Sequence, residues 1–195
     1  MRYEKGHKDA TRRRIVEVAS KQLRKDGVGA SGVAGLMASA GLTHGGFYSH
    51  FSSKDALIEE ALRDAIEQVR TWIGAVADAN ENKFEAIVRA YLSPYHRDNP
   101  ETGCVAGALA PEIARHSPVV REMFTKSIVE HIEVLAGLLP ASATPEARRS
   151  VATAIIAGTT GMIQLARAVD DEELSDKILE DGIAACLSLA RAISA

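Results

Sequence analysis

The stretch LTHGGFYSHFSSKDAL, residues 42–57, decides how this chain is read. Two adjacent glycines, Gly45 and Gly46, would by themselves mark a turn. Phe47 and Phe51, however, stand four apart, which puts both rings on one face of a helix while His44, Gly45, Tyr48, Ser49 and His50 point elsewhere. Each glycine inside a helix costs about 1 kcal/mol relative to alanine. A compensating reason is needed, and close approach of the backbone to a partner surface is the usual one.

Working upstream, Ile15, Val18, Ala19 and Leu23 recur at three and four over residues 11–25, with basic residues between them. Asp26 and Gly27 close that helix, glycine serving as a left-handed C-terminal cap. Ser31 offers an N-cap hydroxyl to a second helix in which Val33, Leu36, Met37 and Ala40 share a face. Gly41 ends it, Leu42 is an apolar plug, and Thr43 is the N-cap candidate for the third helix. Two short helices joined by a tight glycine-containing turn are the helix-turn-helix signature.

Downstream, Ser52 or Ser53 caps a helix of roughly 25 residues, its apolar stripe formed by Leu57, Ile58, Ala61, Leu62, Ala65, Ile66, Val69 and Ile73. The polar run ANENK, residues 79–83, breaks it. Five more helices are predicted at 83–97, 103–116, 118–139, 145–169 and 173–193, separated by Pro, Gly, Ser and Asp signals. The expected fold is all-α: an N-terminal three-helix head, residues 1–52, on a helical body, residues 53–195.

Composition agrees with a folded helical protein, at 46% apolar, 25% charged and only 5% aromatic. Two cysteines make neither a disulfide framework nor a zinc pattern, and the charged first residues lack the apolar core of a secretory signal, so a cytoplasmic location is expected. No apolar run is long enough to span a membrane. The net charge of −3 is unevenly spread: residues 1–54 hold ten Lys/Arg against four Asp/Glu, leaving 13 basic and 22 acidic residues to the rest. A basic head on an acidic body is the footprint of a polyanion-binding module. A charge cluster on a solvated helix would look the same, so the motif has to decide.

Residues 9–57 resemble the tetracycline-repressor (TetR) family of bacterial transcription regulators. The resemblance is carried by Thr11, Ile15, Ala19, Gly27, Ser31 with Val33, Leu36, Ala40-Gly41-Leu42-Thr43, Gly46-Phe47-Tyr48, His50-Phe51, and Ser53-Lys54 with Leu57. It implies a homodimer that reads a palindromic operator in double-stranded DNA through two heads, and a C-terminal domain that binds a small-molecule effector. Release from the operator on effector binding is the implied mode of action, with no cofactor and no metal. Constitutive DNA binding without a ligand is the alternative.

Within this frame Tyr48 and Lys54 are expected at phosphates, since the phenyl rings already supply the core and a lysine opposes the dipole at a helix start. His44 and Ser49 can reach base edges, and Gly45 and Gly46 let the backbone approach the groove. Thr43, His50 and Ser31 are expected at phosphates, with capping the competing role for Thr43 and an additional one for Ser31. Arg12, Arg13 and Arg14 would add non-specific attraction or be merely solvated.

In the body, Tyr91, Tyr95, His96, Cys104, Met123, Phe124, His131 and Met162 form the candidate effector set, a mixture of apolar walls and few polar groups. Cys104 after Gly103 sits at an expected helix start, where the dipole favours a reactive thiolate. A cysteine-based electrophile or redox sensor is therefore an alternative, although buried packing is the commoner role of a lone cysteine. Residues 151–166 and the last helix, rich in small residues including Gly158 and Gly161, are expected to form the dimer interface. Cys104 with His116 or His131 lacks the acidic orienter and oxyanion motif of a nucleophilic enzyme, so catalysis is not expected.

Overall fold

The structure, a computed structural model, describes residues 5–30 and 32–193. The regular elements among them are all helical. They are α1 (Lys5–Asp26), α2 (Val33–Ser39), a 3₁₀ segment (His44–Ser49), α3 (Lys54–Asp78), α4 (Lys83–Tyr91) and α5 (Pro94–Asp98). A 3₁₀ turn (Pro100–Thr102), α6 (Val105–Ile113), α7 (Pro118–Leu138), α8 (Pro145–Ala168) and α9 (Glu172–Ala192) complete the order.

By packing, the chain forms two compact units: Met1–Val69 with Pro100–Arg121, and Arg70–Asn99 with Glu122–Ala195. In the first unit α1 buries Ile15, Ala19 and Leu23, one row at four-residue spacing, together with Leu36 and Met37 of α2 and its C-cap Ala40. Phe47, Phe51, the α3 stripe from Leu57 to Ala65, and Leu109 and Ile113 of α6 complete this core. Two glycines shape the entry to it. Gly27 and Gly41 have φ of +87° and +68°, the left-handed conformation that ends α1 and α2.

The second unit is built on Phe84, Val88, Leu92, Leu135, Leu139, Ala152, Ile155, Ile163, Leu179 and Cys186. Here α8 and α9 pack against each other. Gly182 permits it, because a Cβ there would meet Met162 Sδ and stand 2.8 Å from a Leu92 methyl.

Four local features differ from the sequence reading. The third helix is 3₁₀: Gly46 N–H reaches the Thr43 carbonyl at 3.1 Å and His50 N–H the Phe47 carbonyl at 2.9 Å, and the α pattern resumes only with Phe51 N–H on Phe47. Two glycines in a six-residue segment supply too little propensity for α-helix, and 3₁₀ is the form short pieces take. The single helix predicted at 83–97 is α4 and α5. Pro94 drives Ser93 into extended conformation (φ −120°, ψ 152°), where its hydroxyl caps α5 by accepting His96 N–H at 3.2 Å.

The helix predicted at 103–116 is shorter, Val105–Ile113, with Cys104 at its N-cap in extended conformation. Finally, the N-cap of α2 is Gly32, and Ser31 lies outside the described residues. Thr43 does hold the N-cap position of the 3₁₀ segment, but its hydroxyl makes no capping bond.

Candidate nucleic-acid interface

The 3₁₀ segment turns two faces in opposite directions. Phe47 is fully buried and Phe51 nearly so, their rings stacked at 5.7 Å between centroids. Facing out are Thr43, His44, Gly45, Ser49 and Tyr48, the last 69% exposed with its ring edge-on to Phe47 at 5.2 Å. Tyr48 therefore lies outside the core that the two phenyl rings build. A Cβ on Gly45 would meet nothing within 4 Å, so nothing inside the chain requires glycine there.

Several candidates are engaged within the head. The Ser49 hydroxyl donates to the Gly46 carbonyl at 2.6 Å, which leaves its lone pairs as acceptors. His50 is half-buried and its Nδ1 has no hydrogen-bond partner. Burial first, then the charges of Lys8 and Arg12, hold its imidazole below the usual histidine range. Lys54 starts α3, as the sequence reading placed it, yet it also has a structural partner that reading did not foresee: its Nζ donates to the Val28 carbonyl at 3.4 Å.

The arginine run is divided in role. Arg12 ion-pairs with Glu60, donates from Nε to the His50 carbonyl at 3.3 Å, and lies 4.6 Å over the Phe51 ring. It braces the 3₁₀ segment from α1 and α3 together. Arg14 donates to the Ala40 carbonyl at the end of α2, and Arg13 is exposed. No signal in the local sequence separates the three, because the partners lie 26 to 48 residues away.

The effector candidates fall into three groups. In the second unit Tyr91 and His96 form a pair, ring centroids 4.5 Å apart, with Trp72 6.3 Å from His96. His96 is buried and its Nδ1 lies 2.6 Å from the Tyr91 carbonyl. Desolvation pushes its pKa down to about 4 against the stabilising pull of that carbonyl, and Arg167 adds to the fall. Met162 packs against the same core, while Tyr95 is 70% exposed.

Met123, Phe124 and His131 are half-buried on α7. Burial holds the His131 imidazole below its ordinary range, against the opposing charge of Glu130. Ser127, only 5% exposed and one turn from His131, was missed by the sequence reading, as was Trp72; the signal available was a serine at i−4 on an apolar helix face. Cys104 belongs to the first unit, buried at the N-cap of α6. His116 Nδ1 accepts the Ser117 N–H at 2.9 Å. Among the described residues no helix is long and apolar enough to cross a membrane.

Comparison with known proteins agrees with this geometry. Residues 15–61 match the family described as bacterial regulatory proteins, tetR family. A curated relative, the HTH-type transcriptional repressor KstR2 of Mycobacterium tuberculosis (strain CDC 1551 / Oshkosh), is 23% identical over 90 residues, 46% of this chain and 45% of that protein. The chain thus matches about half the length of that relative. Two solved structures have the same fold over 96% of both chains. A TetR-family transcriptional regulator from Cytophaga hutchinsonii is 20% identical with a TM-score of 0.78. A TetR transcriptional regulator from Chloroflexus aurantiacus J-10-FL is 24% identical with a TM-score of 0.79.

Proposed function

We propose that the chain, whose residues 15–61 match the tetR family of bacterial regulatory proteins, is a homodimeric repressor of that family that reads a palindromic operator and is released by a small-molecule effector. Residues 1–52 are the reading head and residues 53–195 the dimerising, effector-binding body. The observation that carries this reading is the two-faced 3₁₀ segment, with Phe47 and Phe51 inside and Thr43, His44, Gly45, Tyr48 and Ser49 outside. A surface of small and hydrogen-bonding groups, on a backbone thinned by glycine, suits entry into a major groove.

Duplication of the head finds its support in α8. A Cβ at Gly158 or Gly161 would meet nothing within 4 Å in this chain, and Leu165 and Leu189 are 58% and 41% exposed. Two glycines and exposed leucines on helices that already have a core suit the close approach of a second copy. A two-fold dimer of this kind requires half-sites about 34–36 Å apart, one helical turn, or a multiple of it. An effector that binds better to the dimer with another head spacing lowers operator affinity without touching DNA.

The test is selection of bound sites from random duplex DNA by the full-length chain, with sedimentation to determine the oligomer. An inverted repeat recovered by a dimer is expected. A monomer indifferent to DNA at low salt overturns the proposal.

A further inference from the structure

We propose that Ser49 is a specificity-determining residue that acts only as a hydrogen-bond acceptor, and so selects an amino-bearing base, adenine or cytosine, on the strand it faces at one position of each half-site. The inference deepens the reading of residues 1–52 as a DNA-reading head and rests on it.

A free serine hydroxyl discriminates poorly in a major groove. By turning about one bond it either donates to guanine O6 or thymine O4, or accepts from adenine N6 or cytosine N4. Ser49 has lost that freedom. Its O–H donates to the Gly46 carbonyl at 2.6 Å, at the short end of the range for O–H···O bonds. The side chain is exposed, so what its oxygen offers to a partner outside the chain is lone pairs.

The backbone explains why the proton is held there. In an α-helix the Gly46 carbonyl would accept the His50 N–H. In this 3₁₀ segment the His50 N–H goes to the Phe47 carbonyl at 2.9 Å, and the Phe51 N–H joins it there at 3.0 Å. The Ser49 hydroxyl supplies the Gly46 carbonyl with a donor instead. Turning that hydroxyl towards a keto oxygen would take the donor away in a groove from which water has been displaced, and an acceptor left unsatisfied there is costly. An amino group demands no such exchange, because it donates to a lone pair that already faces outward.

Reach is the second requirement. A side chain as short as serine touches a base edge only where the backbone comes close. Gly45, with nothing within 4 Å of where its Cβ would stand, bares the backbone four residues ahead of Ser49. Phe47, fully buried, anchors the opposite face of the segment in the core.

The experiment uses the full-length protein and the duplex that it selects from random DNA, with circular dichroism and melting temperature to verify folding. S49A is expected to relax one base pair in each half-site and to leave the others sharp; S49G, which also lacks the hydroxyl, replaces it should S49A fail to fold. At that pair two groups are then deleted in turn in synthetic duplexes. The amino group is removed by purine in place of adenine or 2-pyrimidinone in place of cytosine. The keto oxygen is removed by 2-aminopurine in place of guanine or 5-methyl-2-pyrimidinone in place of thymine. Loss of the amino group is expected to weaken wild-type binding by about threefold to tenfold per half-site beyond its effect on the variant. Loss of the keto oxygen is expected to affect both proteins equally. A variant that relaxes no pair, or a coupling of Ser49 to the keto oxygen or to neither group, overturns this inference alone. A wild-type pool without any repeat overturns the reading of the head, and this inference with it.

Discussion

Tyr48 sets its ring edge-on to Phe47 and is largely exposed, so loss of its hydroxyl is expected to cost the fold little. Tyr48→Phe is expected to weaken binding evenly across DNA sequences, by up to about tenfold, as loss of a phosphate hydrogen bond does. His44→Ala is expected to relax one base position and leave the others sharp, which selection of sites by both variants resolves. Lys54 has a structural partner in the Val28 carbonyl and a proposed partner in a DNA phosphate, and the two separate by measurement. Lys54→Ala is expected to flatten the salt dependence by about one counterion per head, and also to lower the melting temperature through the lost Val28 bond. Burial raises the Cys186 thiol to about 11, so it stays protonated and unreactive at neutral pH. Thiol-reagent titration of the native protein is expected to leave Cys186 unmodified until denaturant is added.

At the scale of elements, the glycines divide by what a Cβ would touch. Gly182 on α9 is needed internally, and Gly182→Ala is expected to destabilise by about 1–3 kcal/mol through overpacking against Leu92 and Met162. Gly45 and Gly158 face open space within the chain. Gly45→Ala is therefore expected to raise head stability by up to about 1 kcal/mol, from helix propensity, while weakening operator binding. Thermal melts and DNA titrations that moved in the same direction would remove the case for backbone approach to the groove. Gly158→Leu is expected to leave helicity intact and dissociate the dimer, which sedimentation reads directly. The 3₁₀ segment belongs to the same argument. Its shape comes from Gly45 and Gly46, and it is held from outside by Arg12, the Phe51 ring and Glu60.

At the scale of the whole molecule, His96 makes stability depend on pH. Its folded pKa of about 4 lies below the ordinary 6.5, so the unfolded chain takes up a proton first as pH falls. Its contribution to stability is thus complete above about pH 6.5 and is lost as pH falls towards 4, a change of about 3 kcal/mol. His131, also lowered by burial, acts in the same direction. Denaturant unfolding at pH 7 and pH 4.5 is expected to show this loss, and His96→Asn to reduce the difference between the two. An effector, by the same linkage, is expected to raise the melting temperature while lowering operator affinity, whereas a constitutive binder would show neither.

Local chemistry was sufficient for the all-helical class, the left-handed caps at Gly27 and Gly41, the inward phenyl rings and the outward Tyr48. Each depends on neighbours within a turn or two, where apolar spacing and backbone preference act. It was insufficient where a polar group finds its partner across the fold: Glu112 at the Val28 turn, Arg24 at Gly103, Arg12 at Glu60, Lys54 at Val28. Partners distant in the chain leave no periodic trace in a sequence, unlike the helical pairs four apart such as Glu17–Lys21, because what joins them is proximity after packing. Tertiary structure alone therefore decided that α6 packs with α1, that Tyr95 stands in solvent, and which arginines find partners across the fold.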